Sequence, residues 1–414
     1  MDSHMLDCSW RDLAKLLDDN DGAVFIAHSD RFKANVAALR EAFEGRYRNI
    51  GIGYSYKTNH LPKLCIAADV LGLYAEVVSG TEFEIALALG VTGERILFNG
   101  PVKGNSELKA AFAHGALVNV DSLSEARQVA ELASEQKRAV KVGLRCNLDL
   151  TWKDRESRFG LSETSGELDE AWRILNAVES ISIEGLHCHT SFDRSAKSYG
   201  KRIAKLIEIA DRLFNEEAPR FLDIGGGLCG PMSAELREQF ATPPPTFEEY
   251  AESICDPIVR RYGVDGPELI IEPGVGLLGN VFDYAYRVEH VKKIGSKFFA
   301  VTSGASHHIK IVPNTFNLPT SLLKSPETEG TGRVGANVDI AGYTCLEHDV
   351  IYRDFAQALA RGDILVSKSV GAYSMVSSPD FIRTSPPVFE RSGSEWKELR
   401  KKQSTISYLS QFNW

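Results

Sequence analysis

Eight short apolar runs follow one another between Ile50 and Glu272, each set off from the next by a longer stretch. They fall at 50–56, 73–77, 96–98, 117–120, 140–145, 183–187, 220–224 and 268–271. The intervening stretches read as helices. Residues 124–133 and 201–214 carry apolar side chains at helical spacing, and Thr246 stands three residues before Glu249, the pattern of a capping box. Strand and helix alternating in this way mean parallel strands joined by right-handed crossovers. Eight is the number that closes such strands into a barrel. The expected class is therefore α/β with a (β/α)8 barrel, and an open doubly wound sheet is the structural competitor.

After Glu272 the rhythm changes. Residues 281–292, 298–302, 338–341, 364–368 and the region of Val388 read as strands with no regular helices between them. Residues 317–337, rich in Pro, Gly, Ser and Thr, read as an exposed loop. A mostly antiparallel β domain is expected over 281–414, after a barrel over 27–280. Residues 5–26 join it through a short strand at Val24-Phe25-Ile26; Met1 to His4 reads as a vector remnant ahead of Met5.

Composition narrows the function. Acidic residues outnumber Lys and Arg by 56 to 47, giving a net charge of −9, which argues against a nucleic acid or a membrane surface as partner. No apolar run approaches the roughly 18–20 residues that span a bilayer. Seven scattered cysteines, an odd number, fit the reduced thiols of a cytoplasmic protein better than a disulfide framework.

In a barrel the chemistry sits where strands end. The residues there are Lys57, Glu76, Asn99, Asp121, Arg145, His189, the run Gly225-Gly226-Gly227, and Glu272. Lys57 follows an apolar strand, and an amine in apolar surroundings loses proton affinity and becomes a nucleophile for carbonyls; a solvated lysine is the bland alternative. The glycine run lets backbone approach a phosphate closely, and a tight turn would need it too. With Gly230 it also matches a dinucleotide fingerprint, but Pro231 follows and the run lies at the seventh strand rather than the first. Glu272 ends a very apolar strand and needs a partner. His187 and His189 share one strand face, but no two further ligands stand at convincing spacing, so no metal is expected.

Read together, these motifs resemble the fold-type III pyridoxal 5′-phosphate (PLP) decarboxylases, over nearly the whole chain and in the family's order. Tyr54-Ser55-Tyr56-Lys57-Thr58-Asn59 is similar to the Schiff-base lysine segment, and Glu76 to Glu82 to the second-strand motif. Val120-Asp121-Ser122, Arg158-Phe159-Gly160 and His187-Cys188-His189 also match, as do Gly225-Gly226-Gly227 and Glu272-Pro273-Gly274. In the second domain, Gly342 to Asp349 and Gly371-Ala372-Tyr373 match as well. The resemblance implies an alanine-racemase-like barrel that binds PLP as a Schiff base on Lys57. It also implies cofactor contacts from Glu76, Arg145, His189, Gly225, Gly226, Gly227, Glu272 and Tyr373. Lys57, His189 and Cys345 are its catalytic residues. The working unit is a homodimer with shared active sites, because in these families the cysteine segment comes from the other subunit.

Four departures bear on the substrate. Val275 stands where arginine is usual after Glu-Pro-Gly, and Leu346 where an acidic residue is common, with Glu347 one position on. Ser306-His307-His308-Ile309-Lys310 replaces an arginine-containing stretch, and Thr190-Ser191-Phe192-Asp193 a glycine–serine pair. The expectation is a decarboxylase for an amino acid with a larger polar substituent, of siderophore or secondary-metabolite type, with Glu347 at the substrate and His307, His308 and Lys310 facing an acidic substituent. The alternatives are diaminopimelate decarboxylase, an amino-acid racemase, a non-catalytic PLP-binding protein and an NAD-dependent oxidoreductase.

Overall fold

A computed structural model describes residues 8–136, 139–150, 156–309, 316–328, 333, 335 and 337–413. These divide into two compact units. One holds residues 34–230 and 244–276, the other the remaining described residues.

The first unit is the barrel. Its strands are Ile50–Ser55, Tyr74–Val77, Ile96–Phe98, Leu117–Val120, Val140–Asn147, Ile181–His187, Phe221–Gly226 and Glu268–Glu272. Each is parallel to the next, and the last pairs with the first, Ile271 opposite Ile52. The closed ring bears out the barrel and removes the open-sheet competitor. The helix Phe247–Tyr262 opens with the expected capping box: Thr246 and Glu249 each accept the other's backbone N–H.

Side chains alternate along a strand, so every second residue enters the barrel. Leu97, Phe221 and Ile270, with Tyr74 and Leu117, form an apolar layer inside it. Two residues further along the same strands come Asn99, Asp223, Glu272, Glu76 and Asn119, all buried. A greasy plug thus lies beneath a polar layer. The first strand supplies glycine to this face, and a Cβ on Gly53 would lie 3.2 Å from Glu272 Cγ and 3.5 Å from Glu76 Cβ. That strand makes room for two carboxylates.

The second unit is a mostly antiparallel sheet. Its central strand, Phe282–Ile294, pairs with Ala23–Ala27, Lys297–Thr302 and Ile364–Ser367. The core beneath gathers Leu13 and Leu17 from the helix Trp10–Asp18 with Val24, Ile26, Ala285, Val366 and Phe389. One expectation is corrected here. Within the supposed loop 317–337, Thr320–Leu323 is a strand antiparallel to Ile364–Ser367. Its flanking prolines read as loop, but four residues suffice for an edge strand once a partner offers its backbone. Residues 231–243 also cluster with this unit, where Gln239 exchanges hydrogen bonds with the Asn317 backbone and Phe240 stacks on Phe316.

Candidate active site

The polar layer is one connected system. The Lys57 amine donates to both oxygens of Glu76, at 2.7 and 2.9 Å. The apolar strand does deliver Lys57, but its amine meets a carboxylate rather than the apolar wall expected. The Asn99 amide donates to Glu272 Oε1 and, at 3.4 Å, to Glu76 Oε1, while Asn119 donates to Asn99 Oδ1 at 2.7 Å.

Glu272 faces His187, whose Nε2 lies 3.8 Å from Oε2, beyond hydrogen-bond range. Neither His187 ring nitrogen nor Asp223 Oδ2 has a hydrogen-bond partner among the described residues. His187, Asp223 and Glu272 offer donor atoms within 4.8 Å of one another, close enough for a metal ion. Burial pushes the His187 pKa down, while the Glu272 carboxylate beside it pulls the other way. Burial pushes Asp223 well up, and the charge on Glu272 adds to that. Glu272 goes the other way: burial opposes its charge, but His187, Lys57 and Asp223 together hold it below the usual carboxylate range. Between Asp223 and Glu272, the balance favours the charge on Glu272.

His189 follows two residues after His187. Burial, then the Lys57 and Arg145 charges, push it well below the ordinary histidine range. Its Nδ1 accepts the Gly226 N–H at 3.1 Å, which places the ring proton on Nε2. The result is a neutral, fixed imidazole. Gly225 and Gly227 have φ of +70° and +96°, which favours glycine, and a Cβ on Gly226 would overlap the Glu272 carbonyl. Arg145 is buried with its guanidinium 2.6 Å from Asp121. Beside it, Lys103 is fully buried against Glu125 at 2.7 Å.

Barrel strands thus bring together Lys57, Glu76, His189, Gly225 to Gly227 and Glu272, with Arg145 held by Asp121. The other sequence-chosen residues lie in the second unit. Cys345 and Glu347 are exposed there, and Tyr373 is half-buried with φ of 57°. His308 departs from expectation. Its Nδ1 hydrogen-bonds the Tyr284 hydroxyl at 2.8 Å, and burial, aided by the charges on His307, Arg400 and Arg383, pushes its pKa down to about 3. It supplies no positive charge to an acidic substituent. His307 is also pushed down by burial. Lys310 lies outside the described residues. Sequence reading gave no role to Asn99, Asn119 or Asp223. Stepping back two residues from each strand end would have found Asn119 and Asp223, because inward positions recur at every second residue.

The pattern of the family described as pyridoxal-dependent decarboxylase, pyridoxal binding domain, matches residues 30–278. The chain belongs to the pyridoxal-dependent decarboxylases. It is 26% identical over 370 residues to the diaminopimelate decarboxylase of Aquifex aeolicus, covering 86% of this chain and 83% of that protein. To the diaminopimelate decarboxylase of Archaeoglobus fulgidus it is 27% identical over 408 residues, 92% and 90% of the two chains. The fold matches that of diaminopimelate decarboxylase from Methanocaldococcus jannaschii with a TM-score of 0.84 at 23% identity, over 96% of this chain and 93% of the other. It also matches the arginine decarboxylase of Paramecium bursaria Chlorella virus at 0.74 and 19%, over 90% and 96%.

The cofactor of this decarboxylase family is PLP, and the residues present fit it. Lys57 offers an amine at a strand end. Glu272 offers a buried carboxylate kept ionised, the complement of a protonated ring nitrogen. Gly225 to Gly227 offer backbone without side chains for a phosphate.

Proposed function

We propose that this decarboxylase acts on diaminopimelate. The observation that carries the chemistry is the joining of the Lys57–Glu76 pair and the ionised Glu272 in one buried polar layer. The choice of substrate is supported by relatives of that name aligned over most of both chains. It is supported also by the neutrality of His308, which weakens a site built around an acidic conjugate.

PLP, when bound, takes up the electron pair released at the α-carbon as carbon dioxide departs. The chain's own residues do the rest. Lys57 would hold the cofactor aldehyde, with Glu76 fixing the amine through two hydrogen bonds. Glu272 would hold the ring nitrogen, and its charge keeps a proton there. Gly225 to Gly227 would hold the phosphate. Arg145, locked by Asp121, adds positive charge at the barrel mouth. His189 presents a neutral flat ring, which packs on an aromatic cofactor without adding a competing charge. Cys345 would supply the proton that returns to the α-carbon. Its thiol is exposed on its own protomer, which favours service at a partner's barrel in a homodimer.

A second reading, an amino acid with a larger polar substituent, is favoured by Val275 and by Leu346, which is 39% exposed and offers no charge. Carbon dioxide release from diaminopimelate by the PLP-loaded protein decides between them, with Lys57→Ala as the blank. Faster release from a conjugated amino acid than from diaminopimelate would move the assignment to the second reading.

A further inference from the structure

Two carboxylates of opposite duty meet at one amide. Glu76 receives Lys57, and Glu272 lies across the layer beside His187 and Asp223. Between them stands Asn99, 4% exposed. Its two N–H groups go to Glu272 Oε1 and to Glu76 Oε1. Carboxylates only accept, so chemistry alone fixes which end of the Asn99 amide faces them. Its oxygen must then turn to Asn119, which must present its own NH2, and does so at 2.7 Å. That leaves Asn119 Oδ1 buried and without a hydrogen-bond partner among the described residues, pointing at Gly143, where a Cβ would overlap it. An unpaired buried oxygen is tolerated at the end of the chain, and a glycine is placed there to admit it.

We propose that Asn99 is a positioning residue that holds Glu76 and Glu272 in register through one bifunctional amide, with Asn119 as the lock on its orientation. It acts on Lys57 through Glu76 and on the cofactor's ring nitrogen through Glu272. The inference rests on the assignment of Glu272 to that nitrogen. Each N–H favours the ionised form of the carboxylate it meets. Without the amide, Glu272 keeps His187, Asp223, Lys57 and Glu76 as neighbours and gains proton affinity in the crowd of acids.

The test compares wild type with Asn99→Leu, similar in shape but unable to hydrogen-bond, and Asn99→Asp, which sets a third carboxylate against the other two. PLP affinity of the apoprotein is measured by fluorescence titration across pH, with thermal unfolding beside it. Both variants should bind PLP about tenfold or more weakly, the size of a lost hydrogen bond to a charged group. The acid limb of PLP binding should move to higher pH, and Asn119→Leu should move it the same way by less. Asn99→Leu binding PLP within twofold of wild type, or binding weakly with an unshifted acid limb, overturns the proposal. If Asn99→Leu does not fold, the same two readings on Asn99→Asp decide. Glu272→Gln separates the two failures. Unimpaired binding in Glu272→Gln removes the Glu272 assignment itself. Impaired binding there with normal binding in the Asn99 variants removes Asn99 alone.

Discussion

Replacing Gly225 by alanine should damage the cofactor site and the barrel together. The residue has φ of +70°, and the new Cβ would lie 2.5 Å from the Cys188 carbonyl oxygen, 2.8 Å from His189 Cβ and 3.0 Å from His189 Nδ1. The left-handed backbone costs an L-residue about 1–2 kcal/mol. The overlap is with backbone, which cannot swing aside, and forcing it costs about 1–3 kcal/mol more. The nearest relief is to push His189 outward, which breaks the bond from the Gly226 N–H to its Nδ1 and forfeits about 1 kcal/mol. The sum is about 3–6 kcal/mol, and at about 2–4 °C per kcal/mol a loss of roughly 6–24 °C in melting temperature is expected. Gly227→Ala is the control. Its φ is also positive, at +96°, but the closest atom is the Tyr199 hydroxyl at 3.0 Å, a looser contact that asks for a shift of a few tenths of an ångström rather than a backbone displacement. It should lose about 1–2 kcal/mol of stability while its PLP affinity falls further than that. Differential scanning fluorimetry and PLP titration of both variants test the ordering. Gly225→Ala as stable as wild type, with unchanged PLP affinity, would refute the geometry argued for this loop.

Other perturbations probe the same layer. Glu272→Gln should retain the fold but lower kcat by about 10²–10³-fold, the scale of one lost electrostatic contact to the reacting system; full activity would remove Glu272 from the cofactor. Lys103→Met strands the Glu125 carboxylate, only 6% exposed, and should cost about 3–5 kcal/mol in chemical denaturation. Adding Glu125→Gln keeps an acceptor for the Asp121 N–H and should restore most of it; no recovery in the double variant would contradict the pairing. Burial pushes Glu82 up from 4.5 to about 7, against the Val78 N–H it accepts. A raised carboxyl stabilises the fold while protonated, so this contribution, about 3 kcal/mol, is full below pH 4.5 and fades as pH rises through 7. Glu82→Gln should flatten stability over that window, and an unchanged slope would argue against the shift.

The barrel was legible because its signal is repeated eight times. One short run such as Ile96–Phe98 is weak alone, but its place in a regular series fixes both its class and its partners. Strand ends were legible for the same reason, and reading them singled out Lys57, Glu76 and Glu272, with Asn99 noted there but given no role. The second unit was harder, since its strands pair across long separations. Val350–Phe355 and Glu395–Arg400 answer only to tertiary partners, and nothing local announced them. The histidines at 307 and 308 show the limit most plainly. Residue type suggested positive groups facing an acidic substituent, but charge is set by surroundings, and burial with the Arg400 and Arg383 charges nearby keeps His308 neutral.

The site itself follows from a single step in the strand repeat. Tyr74, Leu97, Leu117, Phe221 and Ile270 close the barrel, and two residues later the same strands carry Glu76, Asn99, Asn119, Asp223 and Glu272. The apolar layer excludes water from below, which strengthens every electrostatic contact above it and makes each unpaired polar atom costly. Such a layer is stable only if its members satisfy one another or a bound partner satisfies them. Asn99 does the first for the two carboxylates. Among the described residues, His187 and Asp223, beside a carboxylate held ionised, keep polar atoms that no protein group satisfies, as does Asn119. The cofactor chemistry and the barrel's own stability therefore depend on the same few inward positions, and substitutions there should move PLP affinity and melting temperature together.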